Sequence, residues 1–240
     1  MSEPTAIRVG SGRSWPRGVI GVAVLVVVAL AARAWVTWPD VRQLTMDNPA
    51  GVGGGTGAGG ATGWRTWVGL RDVSPHLMRA VVVAEDIEFF SHHGFSWSEI
   101  LSALADAGGG GRPRGASTIT QQLAKNLWLS PRRSLWRKLQ EAVLTIDLER
   151  FLTKRRILEL YLNVVPFGPG VVGAEAAART YFGKPALFLT EREAAMLAAG
   201  LSRPSVWNPT STSDAYRARV ELILRRMANA EFLWRHIASL

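Results

Sequence analysis

The run Gly18–Ala32 (GVIGVAVLVVVALAA) contains no charged residue, and this constrains the chain more than any other segment. At about 1.5 Å per residue its fifteen residues fall short of a hydrocarbon core roughly 30 Å thick. The continuation through Arg33 to AWVTW, ending at Trp38, supplies the missing length. Arg33 then sits near one end, where its side chain can snorkel to the interface, and Trp35 and Trp38 suit an interfacial belt. Arg8, Arg13 and Arg17 precede the run. Lys and Arg in excess stay on the cytoplasmic side, so the predicted topology is a cytoplasmic tail over 1–17 and a single-pass signal anchor over 18–38, with the rest outside. The rival reading is a cleaved signal peptide, since ALAA offers small residues for cleavage.

The 240 residues are enough for one ordinary domain beyond that segment. Apolar residues make up 48% and charged ones 20%, a globular balance. A net charge of +9 favours an anionic partner: nucleic acid, anionic lipid or a phosphorylated substrate. The chain has no cysteine, which excludes disulfides and thiolate metal sites.

Residues 39–63 read as a linker, Gly-rich from Asp47 onward, and 64–240 as one mostly helical domain. Ser74-Pro75 predicts a helix running to about Glu88. Ser96 with Glu99, and Thr190 with Glu193, are capping-box patterns. Gly108–Gly115 is a chain break, followed by a helix over about 117–127, and Ser130-Pro131 opens the next. On that helix Leu135, Leu139, Ala142 and Ile146 share one face, which predicts packing on a core. Further helices are expected near 154–163, 173–180, 190–200 and 213–236, with a short strand candidate around Trp64–Leu70.

Four clusters hold residues capable of chemistry. Glu85-Asp86-Ile87-Glu88-Phe89-Phe90-Ser91-His92-His93-Gly94 places acids at the end of the apolar helix AVVVA. A carboxylate against apolar walls has its charged form disfavoured, which suits a general base or acid. A solvated helix end explains the same residues. His92 and His93 are adjacent, so they do not share one ion, and they are expected to order the chain by hydrogen bonds. Gly115–Asn126 (GASTITQQLAKN) feeds hydroxyls and amides into a helix start. Free N–H groups there, with Lys125 beyond, suit an anionic oxygen group; simple capping by Ser117 or Thr118 accounts for the hydroxyls but not for Gln121 and Gln122. Arg137 and Glu141 lie four apart beside Lys138, either as a surface ion pair or as a carboxylate among phosphate-binding cations. Lys154–Asn163 reads as an amphipathic structural helix.

Read together, the four clusters closely resemble the bacterial peptidoglycan glycosyltransferases, which form the glycan-polymerising domain of class A penicillin-binding proteins and also occur as monofunctional biosynthetic transglycosylases. EDIEFFSHHG (Glu85–Gly94) matches the family's E-D-x-x-F-x-x-H-x-G, and GASTITQQ (Gly115–Gln122) its G-x-S-T-I-T-Q-Q. RKLQE (Arg137–Glu141) matches R-K-x-x-E, and Ile157–Asn163 matches I-L-E-x-Y-L-N. Ala194–Pro209 resembles a fifth, less specific region, and the agreement spans about residues 64–228. Ala116 stands where Gly is frequent, and Ser96 where Asp is common. No S-x-x-K pattern occurs, so the chain looks like the monofunctional form without a transpeptidase.

The resemblance implies a mainly α, lysozyme-like two-lobed domain behind a transmembrane helix in the bacterial inner membrane, with the catalytic domain on the periplasmic or extracellular side. It implies polymerisation of lipid II with inversion at the anomeric carbon and departure of undecaprenyl pyrophosphate. Glu85 is then the general base and Glu141 the second carboxylate, with Ser117, Thr118, Gln121, Gln122, Lys125, Arg133, Arg137 and Lys138 binding substrate. Expected partners are lipid II and the growing lipid-linked glycan, the membrane, and other cell-wall synthases, but not nucleic acid. No metal-ligand cluster is legible, although a divalent cation, Mg or Mn, is compatible with the pyrophosphate. Phe90, Phe95, Trp97, Ile100, Leu101 and Leu104 form a candidate lipid-facing patch. The rival functions are a lysozyme-like hydrolase, a non-catalytic scaffold that binds lipid-linked precursor and, more weakly, a nucleic-acid binder.

Overall fold

The computed structural model describes residues 38–45, 67–97, 101, 117–130 and 134–240. The chain divides into two units, residues 1–40 and 41–240, and nearly all the described residues belong to the second. Among the described residues no helix is long and apolar enough to cross a membrane. The predicted anchor lies outside them except for Trp38, and so do the Gly-rich stretch 47–63 and the break at 108–115.

The architecture of the second unit is mainly helical. Helix α1 (Pro75–Glu85) starts where Ser74 Oγ accepts from His76 N at 3.3 Å and Pro75 takes the first turn. Its residues Leu77 to Val83 are all buried, so it runs through the centre of the core. One of them is Arg79, whose guanidinium lies 4.5 Å from the Trp234 ring and donates to the Met227 carbonyl. Helix α2 (Ile119–Trp128) opens on a capping box between Thr118 and Gln121. Helix α3 (Leu135–Phe151) is capped by Ser134, whose Oγ accepts from Arg137 N at 3.1 Å. Helix α4 (Lys154–Val164) follows at once.

Two short strands, β1 (Pro166–Gly168) and β2 (Val171–Val172), pair antiparallel with Pro166 opposite Val172. Helix α5 (Ala174–Phe182) follows, then α6 (Glu191–Gly200) with the predicted Thr190–Glu193 capping box. Helices α7 (Asp214–Asn229) and α8 (Leu233–Ala238) close the chain. Helices α1, α6, α7 and α8 pack on one another, and α2, α3 and α4 form a second group.

Several expectations change. Helix α1 ends at Glu85 rather than Glu88, because Asp86 leaves helical geometry to bond the start of α2. The next helix begins at Thr118-Ile119, one turn position later than Ser117, and α3 begins at Leu135 rather than at Ser130-Pro131. The helix expected over 213–236 is two, since Arg79 and Ala230 N both take the Met227 carbonyl. The strand candidate is no strand where it is described: 67–69 are extended coil and Leu70–Asp72 a 3-10 turn. Val41–Thr45, read as linker, forms a 3-10 helix packed on α3 with Val41 and Leu44 buried.

The largest correction concerns α3. Leu135 (88%), Trp136 (63%), Leu139 (59%) and Ile146 (55%) are exposed, as is Val143, so the predicted core face looks outward. The face turned inward carries Glu141, Leu144, Thr145 and Leu148. Periodicity finds an apolar stripe but does not say what covers it.

Candidate functional site

Helix α1 delivers Glu85 as its last residue, at the junction of the two helix groups. Oε2 accepts from Gln122 Nε2 on α2 at 2.8 Å. Oε1 is buried and meets no hydrogen-bond donor among the described residues; the nearest cation, Arg219 Nη2 on α7, stays at 3.9 Å. Burial raises the Glu85 carboxyl above its ordinary range, against the lowering effects of the Gln122 bond, Arg219 and Lys125; Asp86 adds a smaller push upward. The result is a carboxylate with one oxygen held and one without a donor among the described residues, biased toward taking a proton.

The neighbouring Asp86 has a structural task. Oδ2 accepts from Ile119 N at 2.9 Å, and His92 Nε2 donates to the same carboxylate at 2.9 Å. His92 Nδ1 accepts from Gly94 N at 3.0 Å, so the expected ordering role of this histidine is seen; His93 is exposed. Gly94 has φ +91°, and a Cβ there would come within 2.8 Å of Thr145 Cγ2, so no other residue fits. Its carbonyl accepts from Thr118 Oγ1 at 2.7 Å. The first motif is thereby stitched to the start of α2.

That stitching occupies three of the N–H groups at the expected anion cradle. The N–H groups of Thr118, Ile119 and Gln121 bond Gln121 Oε1, Asp86 and Thr118 Oγ1 respectively. Thr118 and Gln121 are buried and serve the capping box. Gln122 is the amide that faces Glu85, and Ser117 offers its carbonyl to Gln122 Nε2 at 3.3 Å.

Glu141 lies inside α3 with 3% of its surface exposed. Arg137 Nη1 donates to Oε2 at 3.0 Å and Lys138 Nζ to Oε1. Of the two arrangements expected, the carboxylate set among cations is the one seen, anchored on a buried Glu141, while Lys138 keeps half its side chain in solvent. Lys125 links the two acids. Its ammonium is lowered below the ordinary lysine value by loss of solvation first; Glu141 and Glu85 oppose this, while Arg137 and Lys138 add to it. One lysine thus senses both carboxylates and both α3 cations, which places these groups near one another. Arg133 lies outside the described residues.

Sequence reasoning missed two members of this site. Arg219 sits on a helix without a motif, 134 positions from Glu85. Tyr161, read as part of a structural helix, is fully buried and donates its hydroxyl to Gln122 Oε1 at 3.0 Å. A tyrosine at an apolar helical position needs a partner for its hydroxyl, and that was the available signal. The rest of α4 is structural: Asn163 Oδ1 and Glu159 Oε2 accept from the N–H groups of Val68 and Leu70.

The donor set does not fit a protein-held divalent cation. Both Glu141 oxygens are taken by cations, and among the described residues no group of three or more His, Cys, Asp or Glu converges. Lys125, Arg137 and Lys138 instead suit an anion, which an Mg or Mn ion would have to accompany rather than meet on protein ligands.

The sequence is similar to those of known proteins. Residues 55–228 match the Transglycosylase family profile. A biosynthetic peptidoglycan transglycosylase of Rhodospirillum centenum is 42% identical over 208 residues, covering 87% of each chain. One of Azoarcus sp. is 53% identical over 167 residues, covering 69% of this chain and 72% of its own. Another, of Nitrosomonas eutropha, is 45% identical over 172 residues. The chain belongs to the transglycosylase family.

Proposed function

We propose that this chain is a peptidoglycan glycosyltransferase that polymerises lipid II into glycan strands for the bacterial cell wall. The sugar 4-hydroxyl of the acceptor attacks C1 of the donor. A new C1–O bond forms, the C1–O bond to the pyrophosphate breaks with inversion, and undecaprenyl pyrophosphate leaves. Glu85 takes the hydroxyl proton. The leaving group is already an anion, so positive charge serves it better than a proton. Lys125, Arg137 and Lys138 supply that charge, with Arg133 beside them in sequence, and Glu141 orients Arg137 and Lys138. Ser117 and Gln122 border the sugar; Thr118 and Gln121 shape the groove from within.

The reading rests chiefly on one contrast: a desolvated Glu85 with a donor-free oxygen, facing across Lys125 a Glu141 wrapped in cations. It extends to a lysozyme-like, two-lobed arrangement, favoured by two helix groups meeting at Glu85. It extends also to a membrane location, with a cytoplasmic tail over 1–17, an anchor over 18–38, a linker toward 63 and the catalytic domain over 64–240 on the outer side. A polyprenyl tail stays in the bilayer, so the groove must open at its surface. The exposed stripe from Leu135 to Ile146, on the helix that bears Arg137 and Lys138, suits lipid contact, as do exposed Trp97 and Leu101. Other cell-wall synthases remain candidate partners.

Incubating the chain with labelled lipid-linked disaccharide tests the assignment. Wild type should yield long glycan and Glu85→Gln none. Release of soluble fragments from mature cell wall would favour the hydrolase instead, and a product-free wild type that still binds precursor would favour a scaffold.

A further inference from the structure

Resting on the reading of Glu85 as general base, we propose that Tyr161 is a positioning residue that acts through Gln122 to hold the Glu85 carboxylate aimed for proton transfer. The three groups form a directed chain. The Tyr161 hydroxyl donates to Gln122 Oε1 at 3.0 Å, and Gln122 Nε2 donates to Glu85 Oε2 at 2.8 Å.

An amide can turn end for end. Turned, Gln122 would set its oxygen against the Glu85 carboxylate, acceptor to acceptor. Its NH2 would face the Tyr161 hydroxyl, whose proton would lose the one acceptor it has among the described residues. Tyr161 is fully buried, so water does not replace that acceptor. Burial also holds the phenol well above its ordinary range, with Glu85 and Asp86 adding to the effect, so Tyr161 remains a donor at every working pH.

The amide is therefore locked from the α4 end, with Nε2 toward Glu85. Oε2 is kept as an acceptor of that N–H, and the carboxylate is fixed in one orientation, with Oε1 left without a donor among the described residues. The other groups facing Glu85 are Lys125 on α2, Arg219 on α7 and Asp86 beside it in the chain. Removing the Tyr161 hydroxyl alters none of them directly.

The test is Tyr161→Phe in the intact chain, measured by polymerisation of lipid-linked disaccharide across pH. We expect kcat to fall about tenfold with KM held within about twofold. The acid limb of the kcat/KM profile should move to higher pH, because the ionised Glu85 loses a firmly aimed donor. Gln122→Met, which cuts the same chain from the groove side, should move the limb in the same direction, and it serves the test if Tyr161→Phe does not fold. The double variant should be no slower than Gln122→Met alone. A wild-type rate and limb in Tyr161→Phe, a slower rate with an unmoved limb, or multiplied losses in the double variant would each overturn the proposal. If Glu85→Gln keeps near wild-type activity, the base assignment itself fails. If Glu85→Gln is dead while Tyr161→Phe is unaffected, only the role of Tyr161 fails.

Discussion

Glu85 and Glu141 are the same amino acid on either side of Lys125, and their surroundings are opposites. Glu85 ends a largely buried helix, takes one hydrogen bond from a neutral amide and keeps its second oxygen without a donor among the described residues. Glu141 is also buried, but a guanidinium and an ammonium occupy its two oxygens. Burial alone therefore does not define what a carboxylate does. The partner sets differ: a neutral amide and a distant guanidinium leave Glu85 with a raised pKa, and two cations hold Glu141 in place.

Four experiments bear on that contrast. The largest effect is expected from Glu85→Gln, which should lower the polymerisation rate by about 10²–10⁴-fold. The same variant tests the desolvation. The folded-state pKa of Glu85 is raised above its ordinary 4.5, so its contribution to stability is present below that value and lost as pH rises through the raised one. Denaturation should then show Glu85→Gln more stable than wild type at pH 7, with the advantage vanishing near pH 4. A variant less stable at pH 7 would break the contrast.

Glu141→Ala should cut activity mainly through disordered cations. It should also cost about 1–2 kcal/mol in urea unfolding, the penalty limited because Arg137 and Lys138 keep solvent contact. Lys125→Ala should raise the KM for the lipid-linked donor about tenfold with a smaller change in kcat, measured by initial rates. The smallest effect on folding, within about 0.5 kcal/mol, is expected from Trp136→Ser with Leu139→Ser. That pair should nevertheless weaken liposome binding of a chain lacking residues 1–40, as should Trp97→Ser with Leu101→Ser. Unchanged binding in both would remove the lipid-facing assignment.

Local signals were the legible ones. Ser74-Pro75 and Thr190 with Glu193 announced helix starts, because a cap is a bargain struck within four residues. The motif acids and cations were legible as a set, and the structure gathers Glu85, Gln122, Lys125, Arg137, Lys138 and Glu141. What failed needed knowledge of distant surfaces. The stripe from Leu135 to Ile146 has core periodicity, yet α2 and α4 cover the adjoining face with Leu144 and Leu148. That Thr118 and Gln121 form the local cap with each other was not legible from their types, which suit phosphate equally. Arg219 reaches Glu85 only because α7 packs on α1.

The position of Lys125 between two unlike acids has a practical corollary. A compound built to plug the groove has to be lopsided: one end neutral and able to offer a proton where α1 stops, the other richly anionic where α3 begins. Symmetric polyanions should be repelled at the first end, and simple sugars should find no grip at the second.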